Sequence, residues 1–255
     1  MAGVRSAPSR PGYTFGMSRR EDIPPDSAAA DRERIRRLTS GGAPVAEGRG
    51  APAELAACWA AVVVAVAALC WLGWRNPAIW WVLPLALLVL DFLSGLVHWL
   101  FDTRIPAGDG LLGRIAVNFL DHHVNPTRTA EVGFAATSWR VAVYVSLPLL
   151  GLALLLPAGA GQAWLYWMGA LSLLVAQAHK VAHKRQPGRL ARVLQRLHLS
   201  LSPRSHRQHH RDHGRAYCVF TGWCNPLLDR SGFWRWLERI CPVGAIKRPA
   251  AAAVA

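Results

Sequence analysis

Histidine is the residue type whose number and spacing in this chain point most directly to chemistry. Seven of the ten histidines lie within the 35 residues from His179 to His213. His179 and His183 are spaced as i, i+4, and the run HRQHH at 206–210 places three imidazoles at i, i+3 and i+4. On a helix each set shares one face, so several neutral nitrogen ligands are aimed at one point. This spacing predicts a transition-metal site rather than a basic surface that happens to contain histidine.

The remaining histidines enlarge the candidate ligand set. We predict that the metal ligands are His98, His122, His123, His179, His183, His206, His209 and His210. His198 and His213 are further candidates whose roles are less definite. One ion rarely needs more than four protein ligands, so a set of this size favours two metals.

Two aspartates lie close to His98 in the sequence. Asp91, His98 and Asp102 are separated by seven and then four residues, so they share one face of a helix. A carboxylate inside a membrane span is costly and usually marks a functional interior. We therefore assign Asp91 and Asp102 as candidate catalytic residues, with Asp102 accepting an imidazole N–H and fixing the tautomer of that ring. The alternative for Asp91 is a cap or a packing contact with a neighbouring helix.

A pair of irons suits these ligands and suggests a reaction class. Two irons can activate O2 and so remove hydrogen from an unactivated C–H bond. Carboxylate di-iron proteins hold their metals with E-x-x-H helices. This chain lacks that motif. We therefore expect two iron ions held mostly by histidine, with O2 as co-substrate.

Four apolar segments must position these residues. They cover residues 54–74, 78–101, 135–156 and 162–178 and are close to the length that crosses a hydrocarbon core of roughly 30 Å. The composition, 52% hydrophobic with 12 Trp, agrees with an all-α polytopic membrane protein. Cytoplasmic interfacial helices are predicted at 188–201 and around Phe233, Trp234, Trp236 and Leu237.

The distribution of charge predicts the orientation in the membrane. Nine Lys and Arg residues precede residue 54 and 15 follow residue 178, whereas the turn at 157–161 has none. The positive-inside rule places both termini, and the 103–134 connection, in the cytoplasm. All the histidines then lie on one side of the membrane, expected to be a bacterial inner membrane. Because the basic residues flank apolar segments, the net charge of +14 does not indicate nucleic-acid binding.

The chain divides into three parts. We predict a disordered basic tail at residues 1–54, a transmembrane domain at residues 55–245 and a flexible tail at residues 246–255.

Several stretches of this sequence, in order and with matching spacing, resemble one known family. They are DFLSGLVHWLFDT (91–103), HHVNPT (122–127), QAHKVAH (177–183), SPRSHRQHHRDH (202–213) and TGWCNPLL (221–228). These are similar to motifs of the Kua, or plasmanylethanolamine desaturase, family over residues 55–245. One departure is Ser205-His206, where family members often have two adjacent histidines.

The resemblance implies an O2-dependent di-iron lipid desaturase, with residues 55–245 as its transmembrane lipid desaturase domain. The ligand motifs of the family fall on His98, on His122 with His123, on His179 with His183, and on His206, His209 and His210, and its aspartate falls on Asp102. The implied partners are a phospholipid substrate in the membrane and an electron donor such as ferredoxin or cytochrome b5.

Three activities remain open at this point. The first is formation of the vinyl ether of plasmalogens from an alkyl ether phospholipid, and the second is desaturation of an acyl chain, as in phosphatidylglycerol, or a related lipid hydroxylation. The third, from another class, is a metal transporter or metal-responsive signalling protein. A transporter needs polar residues through several spans. Here the candidate ligands gather towards one face, which argues for a fixed site.

Overall fold

Helices make up every regular element in the part of the chain that the computed structural model describes, residues 51–108, 110–124 and 130–242. The predicted all-α class is therefore confirmed. The helices are α1 Pro52–Arg75, α2 Ala78–Thr103, α3 Leu111–Val124, α4 Phe134–Val141, α5 Leu147–Leu155, α6 Ala160–Ala182, α7 Arg189–Arg196, α8 Pro203–Arg211, α9 Asn225–Ser231 and α10 Phe233–Ile240. A π-helical turn, Ala142–Ser146, joins α4 and α5 into one helix. Most of the N-terminal tail and all of the C-terminal tail fall outside the described residues.

Three of the described helices are long and apolar enough to cross a membrane. They are Pro52–Arg75, Ala78–Thr103 and the combined helix Phe134–Leu155. Helix α6 has a suitable length, 23 residues, but contains Gln162 and Gln177 and is not in that set. Both glutamines are used internally: Gln162 Nε2 donates to the carbonyls of Ala153 and Leu156, and Gln177 Nε2 to that of Phe134. The fourth span therefore stays a prediction.

The main apolar core lies between α1, α2, α5 and α6. Polar atoms of the aromatic side chains there are paired with backbone carbonyls. Tyr166 Oη donates to Ala65 O at 3.0 Å, and Trp167 Nε1 donates to Ile79 O at 2.6 Å. Buried donors need such partners in an apolar interior, so these bonds fix how α6 sits against α1 and α2.

The 103–134 connection contains a helix that the sequence analysis did not assign. Helix α3 occupies Leu111–Val124, and its last turn carries His122 and His123. His122 and His123 therefore project from the end of a helix, and both rings reach the same region as the end of α2. The structure describes nothing of residues 125–129.

The interfacial helix predicted at 188–201 is shorter than expected. Helix α7 ends at Arg196 because His198 adopts a left-handed conformation, with φ of 57°. The chain turns there, and Leu201 is completely buried rather than facing outwards. The helix itself still exposes Leu190 and Val193 beside arginines, the composition expected of a helix lying on a bilayer surface.

Candidate metal centre

Four helix ends meet at the candidate metal centre. Helix α2 supplies His98 and Asp102 from its last two turns, and α3 supplies His122 and His123 from its last turn. His179 lies in the last turn of α6, and His183 caps that helix. Helix α8 contributes the remaining three imidazoles, His206, His209 and His210. All eight histidines predicted as ligands are thus brought together with Asp102.

The first group of potential ligands consists only of histidine. It contains His122, His183, His206 and His210, whose ligand atoms all lie within 4.8 Å of one another. His206 is central, since its Nε2 lies 2.8 Å from His183 Nε2 and 3.1 Å from His210 Nε2. These rings present nitrogen atoms to a common point.

The second group combines three histidines with a carboxylate: His98, Asp102, His123 and His209. Asp102 Oδ2 lies 3.2 Å from the Nε2 atom of each of the three rings. A third group, His98, His122 and His179, shares one histidine with each of the other two. The two main groups are therefore adjacent parts of one centre.

Hydrogen bonds at the far side of two rings decide which nitrogen faces the centre. His98 Nδ1 is 3.2 Å from the carbonyl oxygen of Tyr217, and His209 Nδ1 is 2.8 Å from that of Arg215. A carbonyl can only accept, so Nδ1 carries the proton in each ring, and in the neutral imidazole Nε2 then has a free lone pair. Both Nε2 atoms face Asp102 Oδ2, which also has no proton to offer when ionised.

Asp102 makes two kinds of contact with these rings. Its Oδ2 lies 3.2 Å from His123 Nε2, a hydrogen-bond distance that fits the expected acceptor of an imidazole N–H. In the neutral tautomers protonated on Nδ1, His98 and His209 have no proton on the nitrogen that faces this carboxylate. Opposed lone pairs in a buried place are unfavourable unless a cation lies between them. The geometry therefore suits Asp102 as a metal ligand beside the two rings.

The spacing of the ligand atoms fits a metal ion. Neighbouring Nε2 atoms are 2.8 to 3.4 Å apart. Nitrogen atoms bound at roughly 2.0–2.1 Å from one ion would lie roughly 3.0–3.5 Å from one another. In addition, His98 Nε2, His122 Nε2 and Asp102 Oδ1 are buried without a hydrogen-bond partner. Buried polar atoms are rarely left in this state, so these atoms are consistent with metal coordination.

Burial keeps the imidazoles outside the spans in the form that binds metal. Desolvation, followed by repulsion from neighbouring histidines, holds the pKa of His122 and of His206 well below the usual range. The same causes lower the pKa of His210 to about 2. These rings are therefore neutral near pH 7, and the neutral ring is the metal ligand.

Asp91 lies away from these groups. Its side chain is fully buried and accepts three backbone N–H bonds from the 216–224 loop. Oδ1 accepts from Thr221 and Gly222, each at 2.8 Å, and Oδ2 accepts from Cys224 at 2.9 Å. The structure thus places Asp91 as an anchor of this loop, closer to the packing alternative than to a catalytic role.

The 216–224 loop connects Asp91 to the candidate metal centre. Ser94 Oγ accepts from Val219 N at 3.0 Å, and the Asn225 side chain bonds both the N–H and the carbonyl of Cys218. Gly95 permits this close approach, because a Cβ there would lie 2.6 Å from Cys218 Sγ. The next carbonyl back, from Tyr217, faces His98 Nδ1. The sequence indicates close packing at Ser94 and Gly95 but not that the packing partner is this loop, although the loop overlaps the TGWCNPLL motif.

The two less definite histidines have different positions. His213 is exposed, with its ring centroid 4.4 Å from that of His123, at the edge of the site. His198 is exposed, and its carbonyl accepts a bond from Trp223 Nε1 at 2.6 Å. Neither belongs to the three ligand groups found among the described residues.

Comparison with known proteins gives consistent matches. The model of the lipid desaturase domain family matches residues 87–251. Plasmanylethanolamine desaturase of Myxococcus xanthus is 34% identical over 66% of this chain and 63% of its own length. Plasmanylethanolamine desaturase 1 of Mus musculus is 33% identical over 59% of this chain and 60% of its own. Fatty acid desaturase 4, chloroplastic, of Arabidopsis thaliana is 27% identical over 60% of this chain and 48% of its own length.

The matches cover only part of this chain and part of each relative. The chain covers less than two thirds of the length of the curated relatives reported above. No solved structure matches it significantly. The family model nevertheless covers more than half of the chain and includes every residue of the three ligand groups. The chain therefore belongs to the lipid desaturase domain family.

Proposed function

We propose that this chain is an O2-dependent di-iron desaturase of a membrane lipid. The observation that carries the proposal is the convergence of eight histidines and Asp102 in adjacent groups, where the ends of α2, α3 and α6 meet α8. The printed names of the relatives, plasmanylethanolamine desaturases and fatty acid desaturases, support lipid desaturation as the reaction class.

The two main ligand groups would each hold one iron. His122, His183, His206 and His210 would bind one ion, and the group containing Asp102 would bind the other, with His179 near both. Bound iron would supply the reduction of O2 and the removal of hydrogen from an unactivated C–H bond. The chain itself contributes neutral imidazoles, one carboxylate and a buried setting that limits the access of water.

The proposed substrate is the sn-1 alkyl chain of an ether phospholipid. Removal of two hydrogens next to the ether oxygen would give the vinyl ether of a plasmalogen. The balance is one O2, two protons and two electrons from a donor, giving the alkene and two waters. The names of the Myxococcus xanthus and Mus musculus relatives, each above 30% identity, favour this reaction. Desaturation of an acyl chain is the second candidate, favoured by the similarity to fatty acid desaturase 4.

Lipid analysis of a host that contains alkyl ether phospholipids, expressing this chain, tests the proposal. We expect acid-labile vinyl ether lipids that are two hydrogens lighter than their precursors and that form only with O2. New double bonds in acyl chains alone would favour the second candidate. Unchanged lipids, with the protein in the membrane and loaded with iron, would contradict both.

We also propose that the metal centre lies at the cytoplasmic end of the spans, because positive charge is concentrated after residue 178. Single cysteines at Leu112 and Gln208 are then expected to react with an impermeant thiol reagent only from the cytoplasmic side. A cysteine at Gly161, in the turn without Lys or Arg, serves as the control for the opposite side. The exposed native Cys70 and Cys241 should first be replaced by serine. Labelling of positions 112 and 208 from opposite sides would contradict this orientation.

Asp91 is proposed to position the centre through the 216–224 loop. In Asp91→Asn an amide NH2 would face backbone N–H donors, and leaving one such buried donor unpaired costs about 1–3 kcal/mol. We expect a lower melting temperature together with reduced iron occupancy, measured on purified protein. Ser94→Ala is the matched control, since it removes a single bond to the same loop and should have a smaller effect. If Asp91→Asn has the same stability and iron content as the wild type, Asp91 does not position the centre.

A further inference from the structure

Helix α8 has two chemically distinct faces. Its inner face carries the buried His206 and His209 together with His210. Its outer face consists of Arg204, Arg207, Gln208 and Arg211, all exposed and spaced as i, i+3, i+4 and i+7. The metal-binding helix therefore separates the candidate metal centre from a row of three arginines, which we call the α8 arginine face.

The arginines of this face are available for a partner. Within the described residues, none of the three takes part in a hydrogen bond or an ion pair of the chain. The nearest carboxylate along the chain, Asp212, lies 4.0 Å from Arg215 Nη1 instead. Unpaired guanidinium groups arranged along one helix face attract a surface of negative charge.

The α8 arginine face differs from the bilayer-type surface of α7. Helix α7 exposes Leu190 and Val193 beside its arginines, as expected of a helix that inserts apolar side chains among lipids. Helix α8 exposes no large apolar side chain on its outer face. A helix whose outer face is entirely polar is suited to contact with water or with another protein, so α8 favours a protein over the bilayer.

The proposed reaction requires an external reductant. Reduction of O2 to two waters takes four electrons, of which the lipid supplies two and an external donor supplies two. Four of the histidines, His98, His122, His206 and His209, are buried, so a carrier on the outer face of α8 would reach them across that helix. An electron that crosses α8 from its outer surface to the histidines would travel one helix diameter, roughly 10–12 Å.

We propose that the α8 arginine face is the docking surface for an acidic one-electron carrier protein. This inference rests on the proposed function, because it supplies the two electrons that the desaturation consumes. Two successive encounters deliver them, each oxidising one carrier by one electron. Attraction between the arginines and an acidic partner accelerates encounter and is screened by salt.

The test uses the full chain in lipid nanodiscs with reduced acidic [2Fe–2S] ferredoxin as the donor. In the variant Arg204→Glu, Arg207→Glu, Arg211→Glu we expect the KM for ferredoxin to rise roughly tenfold or more. The matched control, Arg189→Glu, Arg192→Glu, Arg196→Glu on α7, changes the net charge equally and should leave this KM nearly unchanged. Increasing salt should slow the wild type but have little effect on the α8 variant.

A single-turnover measurement separates docking from the chemistry. Enzyme that is chemically reduced beforehand and then mixed with O2 needs no carrier, so the α8 variant should form as much product as the wild type. An unchanged KM, an equal rise in the α7 control, or an effect seen only with anionic lipids would overturn the docking surface. Loss of single-turnover product in the variant would also overturn it. If the reduced wild type forms no desaturated lipid, the proposed function fails, and the docking surface fails with it.

Discussion

Replacement of His206 by alanine is expected to abolish turnover and to remove iron from the protein. His206 Nε2 lies within 3.1 Å of the corresponding atoms of His179, His183 and His210, so its loss opens the middle of the histidine-only group. Loss of a residue that merely supports a ligand typically costs about 10–100-fold in affinity or activity. Loss of a ligand should reach or exceed the upper end of that range. The same outcome is expected for His179, His183, His209 and His210.

Membrane insertion should survive this change, because it depends on apolar spans that the substitution does not touch. The measurements are iron per chain and product formation at matched protein level in the membrane. His198→Ala is the matched control, since this histidine is exposed and outside the three ligand groups. Full turnover and unchanged iron in His206→Ala would mean that the cluster is not a metal centre.

Replacement of Asp102 by asparagine is the second change with a large expected effect. The carboxylate oxygen lies 3.2 Å from three Nε2 atoms, of which those of His98 and His209 carry no proton in the neutral rings. Asparagine retains the size of the side chain but removes its negative charge, which a cation held there would require. We therefore expect Asp102→Asn to lose about one of two irons and to lower turnover about 100-fold or more.

The iron content distinguishes the two roles considered for Asp102. A carboxylate that only orients an imidazole would leave iron in place in Asp102→Asn, with a moderate loss of rate. If Asp102 is a metal ligand, both the Asp102→Asn and the Asp102→Ala proteins should contain less iron than the wild type. Near-normal turnover in both variants at matched iron occupancy would exclude both roles.

The part of the site that follows local spacing could be predicted from the sequence. His179 with His183, and His206 with His209 and His210, are helix neighbours, and the helices formed as expected. The family resemblance then connected these pairs with His98, His122 and His123. The structure brings all of these residues together, and the predicted all-α membrane class is confirmed.

The long-range contacts could not be predicted in this way. The partners of Asp91 are backbone N–H groups about 130 positions later in the chain, and no side-chain pattern marks them. The tautomers of His98 and His209 depend on carbonyl groups of Tyr217 and Arg215, which every residue possesses. Sequence spacing therefore identified the candidate ligands by residue type but not the way in which the loop orients them.

The early end of α7 has a similar explanation. Its apolar spacing continues to Leu201, so periodicity alone favoured a helix over 188–201. A positive φ at His198 ends the helix and turns Leu201 into the interior, where it packs with Ala182 and Val219. Tertiary burial of one leucine thus outweighed the local pattern.

Mössbauer spectroscopy of the purified, ⁵⁷Fe-loaded full chain, with elemental analysis of the same sample, tests the central claim most directly. One ligand group is entirely histidine and the other contains Asp102, so the two irons would have unlike surroundings. We expect two irons per chain and two quadrupole doublets of equal area. A single metal per chain, or zinc in place of iron in protein that forms desaturated lipid, would contradict it.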